Sequence, residues 1–477
     1  MALPWLLLLA CRPAPPPPPT PTVQSPAERP DIVLIVWEST RADHVPLRGE
    51  PGNPTTPGLA ALAQRSVVFR AEQSVAPWTH PSVASLLTGL APTAHGVRSY
   101  SDELSPDVPT LAERLHEGGY ETAFIGSNAW FEASHGLARG FDWYHGVDAT
   151  PGELLAQDLL TWLDQRASEP PASPASPAPA GGRRPTFLYL HLFDPHCPYT
   201  PPDQYEHLFT PVPSARHTDR RLRLEAWQQL NGCYQLPAQG EPGEPVLDMD
   251  TVMAAYDAEL LHADQVTTVL LQRLRDCGLL DRSLLIFTAD HGEAFLDHGI
   301  QGHGPDLYAE AVHVPLLVQP PWTGAGPAPW AGLSVDQDTS SLDIPATILA
   351  AAGLPPLAQG EGQDLSPLWR GTADPAAPPR AVFSETDDHA SKRSVRRGQW
   401  ELIMDLDQHS LALYDRDADP GETTDLSTLQ PELRAELARL LAEHDRKLRA
   451  QALTRTHRDG PMDAATRKAL QRLGYVE

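Results

Sequence analysis

The sequence predicts an α/β fold: a mostly parallel sheet sandwiched by helices, with a smaller C-terminal α+β subdomain. Two observations carry that prediction. Short apolar runs rich in β-branched residues recur along the chain, without the polar alternation of a half-exposed strand. Between them lie longer amphipathic stretches closed by glycine. Strands alternating with helices require a mostly parallel sheet covered on both faces. A third observation places a site. Ligands of such sheets sit beyond the carboxyl ends of the strands, and Glu38, Asp194, His196, Asp290 and His291 all fall there.

The elements follow in chain order. Residues 1–11 read as a signal segment. Its apolar run, Leu6–Ala10, is too short to span a bilayer. It ends at Leu-Leu-Ala-Cys, which resembles a bacterial lipoprotein box with Cys11 as the lipidated residue, although Met1–Pro4 carries no lysine or arginine. Residues 12–30 are proline-rich and read as an extended tether. "DIVLIVWES" reads as a buried strand, "PTLAERLHEGGYETAFIGSN" as helix, glycine turn and strand, and "TFLYLHLFD" as another buried strand. "AAYDAELLHADQVTTVLLQRLRDCGLLDRSLLIFTADHGE" reads as a long amphipathic helix, a glycine stop and a strand ending in Asp-His-Gly. These belong to a domain over 31–375, interrupted by a low-complexity loop at 167–185 and a Gly/Pro-rich turn near Gly240. Residues 376–477 change character, to short antiparallel strands and then the helix "PELRAELARLLAEHDRKL".

Bulk chemistry narrows the function. A chain of 477 residues that is 41% hydrophobic buries a large core. Its formal charge of −26 excludes nucleic acid and an anionic membrane surface as partners, so membrane attachment would be through a lipid anchor at Cys11 alone. An anionic substrate must then be attracted locally, by a metal or a helix end. Cys197, Cys233 and Cys277 are too few and too scattered for a disulfide framework or a thiolate metal site.

Four stretches carry a family resemblance: "IVLIVWESTRADHV", "APWTHPSVASLLTGLAPTAHGV", "LIFTADHGEAFLDHG" and "LYDRDADPGETTDL". The first is similar to a strand ending in an acidic metal ligand followed by Arg-x-Asp. The second is similar to the sulfatase signature with its Pro-Ser and Leu-Leu-Thr-Gly. In this order and spacing, over roughly Pro30 to Leu448, the chain resembles the sulfatase branch of the alkaline phosphatase superfamily. The resemblance implies a metal-dependent ester hydrolase of the alkaline phosphatase/sulfatase-like fold, and the signal segment implies that it is exported, lipid-anchored to the bacterial cell envelope or periplasmic. It also implies one divalent ion (Zn, Ca or Mn) on Glu38, Asp290, His291 and Thr79. Thr79 would be both ligand and nucleophile, at the start of a helix. His196 and His303 would bind the ester oxyanion or protonate the leaving group. Arg41, His191 and His298 are candidate substrate-binding groups.

The chemistry needs such residues. Cleaving a phosphate or sulfate ester adds charge to a group that is already anionic, and a metal and a helix N-terminus both stabilise that charge. The chain departs from the sulfatase pattern in a consistent direction. Thr79 stands where sulfatases carry the cysteine or serine that becomes formylglycine, and threonine cannot become that aldehyde. Val83 replaces the signature arginine, Ser127 a lysine, and Glu38-Ser39 the paired aspartates. A Glu ligand with a Thr nucleophile, and "GHGP" at Gly302–Pro305, resemble instead the phosphoethanolamine transferases and lipoteichoic acid synthases of the same superfamily. The expectation is therefore phosphate ahead of sulfate, by hydrolysis or transfer. The alternative is a catalytically inactive, sulfatase-like surface binding lipoprotein.

Overall fold

The structure is a computed structural model. It describes residues 29–452, apart from 49, 51, 132–134, 148–151, 169–182, 206, 210–220, 224–245, 281, 325, 375 and 388–389, together with Thr456–His457. The signal segment with Cys11, the tether up to residue 28, the turn near Gly240 and nearly all of the low-complexity loop lie outside the described residues.

The strands that build the main sheet are β1 (Ile32–Trp37), β2 (Val67–Phe69), β3 (Glu121–Ser127), β4 (Trp143–Val147), β5 (Thr186–Leu192), β6 (Leu284–Ala289), β7 (Leu316–Gln319) and β8 (Ser334–Val335). Their spatial order is β8-β2-β7-β6-β1-β5-β3-β4. The run from β6 through β1, β5 and β3 to β4 is parallel throughout. Only β7 is antiparallel to its neighbours β6 and β2. The sheet is therefore mostly parallel, as the strand–helix alternation predicts.

Helices α1 (Thr79–Thr88), α2 (Leu111–Glu117), α3 (Gly152–Ser168), α4 (Met249–Asp276) and α5 (Asp343–Ala351) cover both faces. The two-residue period of β1 divides the core between them. Ile32, Leu34 and Val36 pack with Val83, Leu86 and Leu87 of α1, Leu115 of α2 and Ile348 of α5. Val33, Ile35 and Trp37 pack on the other side with Leu155 and Leu159 of α3 and Tyr256 and Leu260 of α4. No β1 side chain is more than 1% exposed. Each such burial contributes about 1.5–3 kcal/mol. The innermost strand is thus the best anchored, and the site hangs from its end. Trp37 Nε1 also donates to Thr267 Oγ1 of α4 at 3.0 Å.

The C-terminal subdomain is an antiparallel sheet of β9 (Ala381–Thr386), β10 (Lys392–Arg397), β11 (Trp400–Asp405) and β12 (Ser410–Asp415), with α6 (Pro431–Gln451) packed on it. Val395, Leu402 and Leu413 meet Leu437 and Leu441 of α6. No described helix is long and apolar enough to cross a membrane. Cys197 is disulfide-bonded, so one bridge exists where the cysteine spacing gave no framework. Cys277 is free and exposed.

Candidate functional site

The ends of β1 and β6 meet because they are paired in register, Trp37 opposite Ala289. The residue after each strand is acidic. Glu38 N donates to Leu192 O at 3.1 Å, and Asp290 N donates to Trp37 O at 3.1 Å. Both carboxylates are fully buried. The chain leaves β1 through Ser39 in the left-handed region, φ 48°. For a residue with a side chain that conformation costs of order 1–3 kcal/mol and persists only where the surroundings enforce it. Tyr256 of α4 enforces it, because its hydroxyl donates to Ser39 O at 2.8 Å and accepts from Arg41 N at 3.0 Å.

The hydrogen bonds leave one oxygen of each carboxylate without a partner. Asn128 Nδ2 donates to Glu38 Oε1 at 2.7 Å, and His191 Nε2 donates to the same oxygen at 3.0 Å. The amides of Ser39 and His291 donate to Asp290 Oδ1 at 3.1 and 2.8 Å. Glu38 Oε2 and Asp290 Oδ2 have no hydrogen-bond partner. Burial raises both acids, and for Glu38 the charge of Asp290 raises it further. Two neighbouring buried carboxylates, one of which raises the other and each with an oxygen that lacks a full hydrogen-bond partner, form a place for a cation. Among the described residues no three His, Cys, Asp or Glu side chains already close on one point as a metal group. The donors beyond the carboxylate pair are the Thr79 hydroxyl and the His291 ring.

Thr79 is the first residue of α1, and Trp78 is its N-cap, with no side-chain capping bond. The threonine is therefore not a cap. Its Oγ1 lies 3.1 Å from His291 Nε2. His291 Nδ1 donates to Gly292 O at 2.8 Å. Burial, then the charge of His303, push this ring well below its usual pKa, so it is neutral. A neutral ring protonated on Nδ1 presents a lone pair at Nε2, aimed at the threonine. Ser82 Oγ, one turn into α1, donates to Asp290 O at 2.6 Å and so ties the helix to the strand end.

Two more histidines close the site. His196 Nδ1 donates to Cys197 O at 2.7 Å, and burial pushes its pKa down to about 4. His303 lies beside both, with its ring centroid 4.4 Å from that of His291 and 5.3 Å from that of His196. Burial opposes a charge on His303, but Glu293 outweighs it and the pKa is raised. Glu293 Oε1 lies 3.3 Å from His303 Nδ1, and Tyr199 donates to Glu293 Oε2 at 2.9 Å. The two histidines therefore differ: burial lowers the pKa of His196, and Glu293 raises that of His303.

Of the ten residues singled out in the sequence, Glu38, Thr79, Asp290, His291, His196 and His303 converge. His191 also reaches the cluster, as a support for Glu38 rather than a surface for substrate. Burial pushes it down to about 3, and its Nδ1 accepts from Tyr189 at 3.1 Å. Arg41 is elsewhere. Its guanidinium is spent on Asp43 and Asp297, each at 2.8 Å, and on Glu293 O at 3.2 Å. His298 is also elsewhere. It bonds Glu310 at 2.6 Å and Glu422 O at 3.1 Å, and it stacks on Tyr308. Asp194 accepts from Gly152 N at 2.9 Å, at the start of α3. Sequence reasoning missed Asn128, Glu293 and Tyr199. Glu293 had a signal, three residues after the Asp-His strand end; Asn128 and Tyr199 had none.

Two predictions follow from these contacts. Asn128→Leu removes a donor from Glu38 Oε1 and should lower divalent-metal affinity about 10- to 100-fold, read by metal titration. The His298 junction should weaken in base. Burial opposes the charged ring, but the Glu310 hydrogen bond and charge raise its pKa to about 9. A raised histidine contributes stability that is complete below about 6.5 and lost as pH rises through about 9. The thermal midpoint should fall over that window, and His298→Gln should flatten the fall.

A sulfuric or phosphoric ester hydrolase of mixed α/β architecture is the class to which this fold and its relatives point. The family model for sulfatases matches residues 30–354, and the chain belongs to that family, within the alkaline phosphatase superfamily. It is 24% identical to arylsulfatase K of Xenopus laevis over 89% of this chain and 83% of that one. Its fold is similar to that of a phosphonate monoester hydrolase of Agrobacterium radiobacter, with TM-score 0.68 and 22% identity over 91% of this chain and 100% of that one. It is also similar to a protein solved with its substrate D-glucosamine-2-N,6-O-disulfate, with TM-score 0.71 and 19% identity over 89% and 99% of the two chains.

Proposed function

We propose that this protein cleaves a phosphate ester, ahead of a sulfate ester, through a covalent intermediate on Thr79. The observation that carries the reading is the Thr79 hydroxyl, held 3.1 Å from a deprotonated His291 nitrogen beside two buried carboxylates with free oxygens. The substrate is an anionic ester. The relatives' printed activities, on aryl sulfate, phosphonate monoester and a disulfated sugar, support that class.

Glu38 Oε2 and Asp290 Oδ2, with Thr79 Oγ1 and His291 Nε2, are the atoms that would hold one divalent ion. Such an ion, when bound, supplies positive charge that lowers the pKa of the hydroxyl and stabilises the anionic transition state. Thr79 Oγ1, its proton passed to solvent water, attacks the phosphorus or sulfur in line, and the bond to the leaving oxygen breaks. His303, kept protonated by Glu293, gives its proton to that oxygen. His196, neutral, contacts the ester oxygens. Water then releases the anion from Thr79, or an acceptor alcohol takes it in a transferase. The N-terminus of α1 points its dipole at the same place. Attachment through Cys11 would set this chemistry at the cell envelope.

The test is a metal analysis of the purified protein, followed by turnover of aryl phosphate, phosphodiester and aryl sulfate esters. The expected result is one divalent ion per chain and fastest turnover of a phosphate ester, with the acid-quenched intermediate mapped by mass spectrometry to the peptide holding Thr79. A metal-loaded protein that turns over none of the esters would favour the inactive binding protein instead.

A further inference from the structure

A cavity of about 720 Å³ lies at the seam between the catalytic domain and the C-terminal subdomain. It is large enough for a small organic ligand. None of Glu38, Thr79, Asp290, His291, His196 or His303 lines it, so it is separate from the proposed catalytic centre. Its wall mixes both signs of charge. The balance of unspent groups decides what it attracts.

Most of the carboxylates in the wall are already committed. Asp43 and Asp297 hold Arg41, and Glu310 holds His298. One arginine from the C-terminal subdomain, Arg396, is not fully matched. Arg396 places Nε 2.9 Å from Asp338 Oδ1, but its Nη1 is buried without a hydrogen-bond partner. The whole residue is 9% exposed. Arg416, which also lines the cavity, gives Nη1 to Glu401 at 2.8 Å and reaches Glu422 only at 3.7 Å. Arg70, half-exposed, meets Glu50 and Asp336 only at 3.8 and 3.7 Å. Burial and the neighbouring Arg416 both disfavour the charge on Arg396, and Asp338, Glu401 and Glu422 offset that in part. A buried N–H without an acceptor costs about 1–3 kcal/mol. A tetrahedral oxyanion matches the guanidinium fork and would give the unpartnered Arg396 N–H its acceptor.

We propose that this cavity is a second oxyanion site. It takes a sulfate or phosphate group on Arg396 and Arg416, with Arg70 at the mouth, and the group is either free or carried on an organic body that fills the rest of the volume. The proposal does not depend on the role given to Thr79.

The test begins with the unmodified full chain. Crystals soaked in selenate should show an anomalous peak within hydrogen-bond reach of Arg396, and excess sulfate should remove it. Anomalous density at the catalytic centre alone overturns the proposal. Equilibrium dialysis with labelled sulfate should show saturable binding at this site. A crystal peak without saturable binding in solution means an adventitious ion only, and also overturns it. The double variant Arg396→Gln/Asp338→Asn removes the cation together with its buried partner, which avoids an orphaned charge. It should weaken that binding at least tenfold; wild-type affinity in the folded variant counts against the site. Should the variant not fold, the wild-type soak decides. A soak with an aryl sulfonate separates the two sources. Ring density in the cavity identifies an organic ligand, and selenate without ring density identifies the free anion.

Discussion

Thr79→Ala is expected to lower turnover of the best ester substrate by roughly 10³- to 10⁶-fold while the protein stays folded and keeps its metal. The size follows from the loss of the covalent route, since no other hydroxyl stands in the same place at the start of α1. The limited structural effect follows from the geometry. Trp78, not Thr79, is the N-cap, so no capping bond is lost. What is lost is the contact with His291 Nε2, and a single hydrogen bond contributes about 0.5–1.5 kcal/mol. In a domain of this size that is a shift of a few degrees or less in thermal midpoint. Thr79→Ser keeps the hydroxyl and should retain part of the activity. Thr79→Cys replaces a hard oxygen by sulfur, a poorer match for a hard metal, and should lose phosphate-ester turnover. The measurement is kcat on the same substrate for all three, beside their metal content and melting curves. A folded, metal-loaded Thr79→Ala protein with near wild-type kcat would remove Thr79 from the chemistry.

How much of this was legible follows from where each signal lies. Strand β1 and the acid that ends it are readable because a charge straight after "IVLIVW" has no place in a buried strand. The same holds for Asp290 and His291 after "LLIFTA". Helix α4 is readable from its length and amphipathic period. Strands β2, β7 and β8 are too short for a period to show, and the antiparallel placement of β7 depends on partners distant in sequence. Arg41 and His298 sit inside motif-like stretches, and their type suggested substrate contact. Their partners, Asp297 and Glu310, are fixed only by the fold, and those partners consume them. Asn128 and Tyr199 act by supporting other groups, and a support leaves no spacing to recognise. The disulfide of Cys197 was hidden for a related reason, since one bridge needs no pattern of cysteines.

Glu38 and Asp290 should behave in opposite ways with and without the divalent ion. In the metal-free protein the two carboxylates are fully buried, each has an oxygen without a partner, and each disfavours the charge of the other. Glu38→Gln and Asp290→Asn each remove one of two repelling charges. The metal-free variants should therefore be as stable as the metal-free wild type at pH 8, or more so. In the presence of the ion the order should reverse. The wild type gains stability as RT ln(1 + [L]/Kd), about 2.7 kcal/mol at a hundredfold excess over Kd, and the variants gain little. Turnover should fall with the lost metal. The pH dependence gives a second handle, and its sign is fixed by linkage. Burial raises Asp290 from the ordinary 3.8 to about 7. An acid raised in the folded state contributes stability that is complete below its unfolded pKa and lost as pH rises through the folded one. Metal-free wild type should thus weaken between about pH 4 and pH 7, and added divalent ion should cancel that loss at the upper end. The Asp290→Asn protein should show a flatter profile over the same window. Melting curves of the three proteins, with and without chelator, at pH 5 and pH 8 supply every term. A metal-free wild type that is markedly more stable than both variants at pH 8 would mean that the carboxylates are held by neutral partners, and the cation would have no place between them.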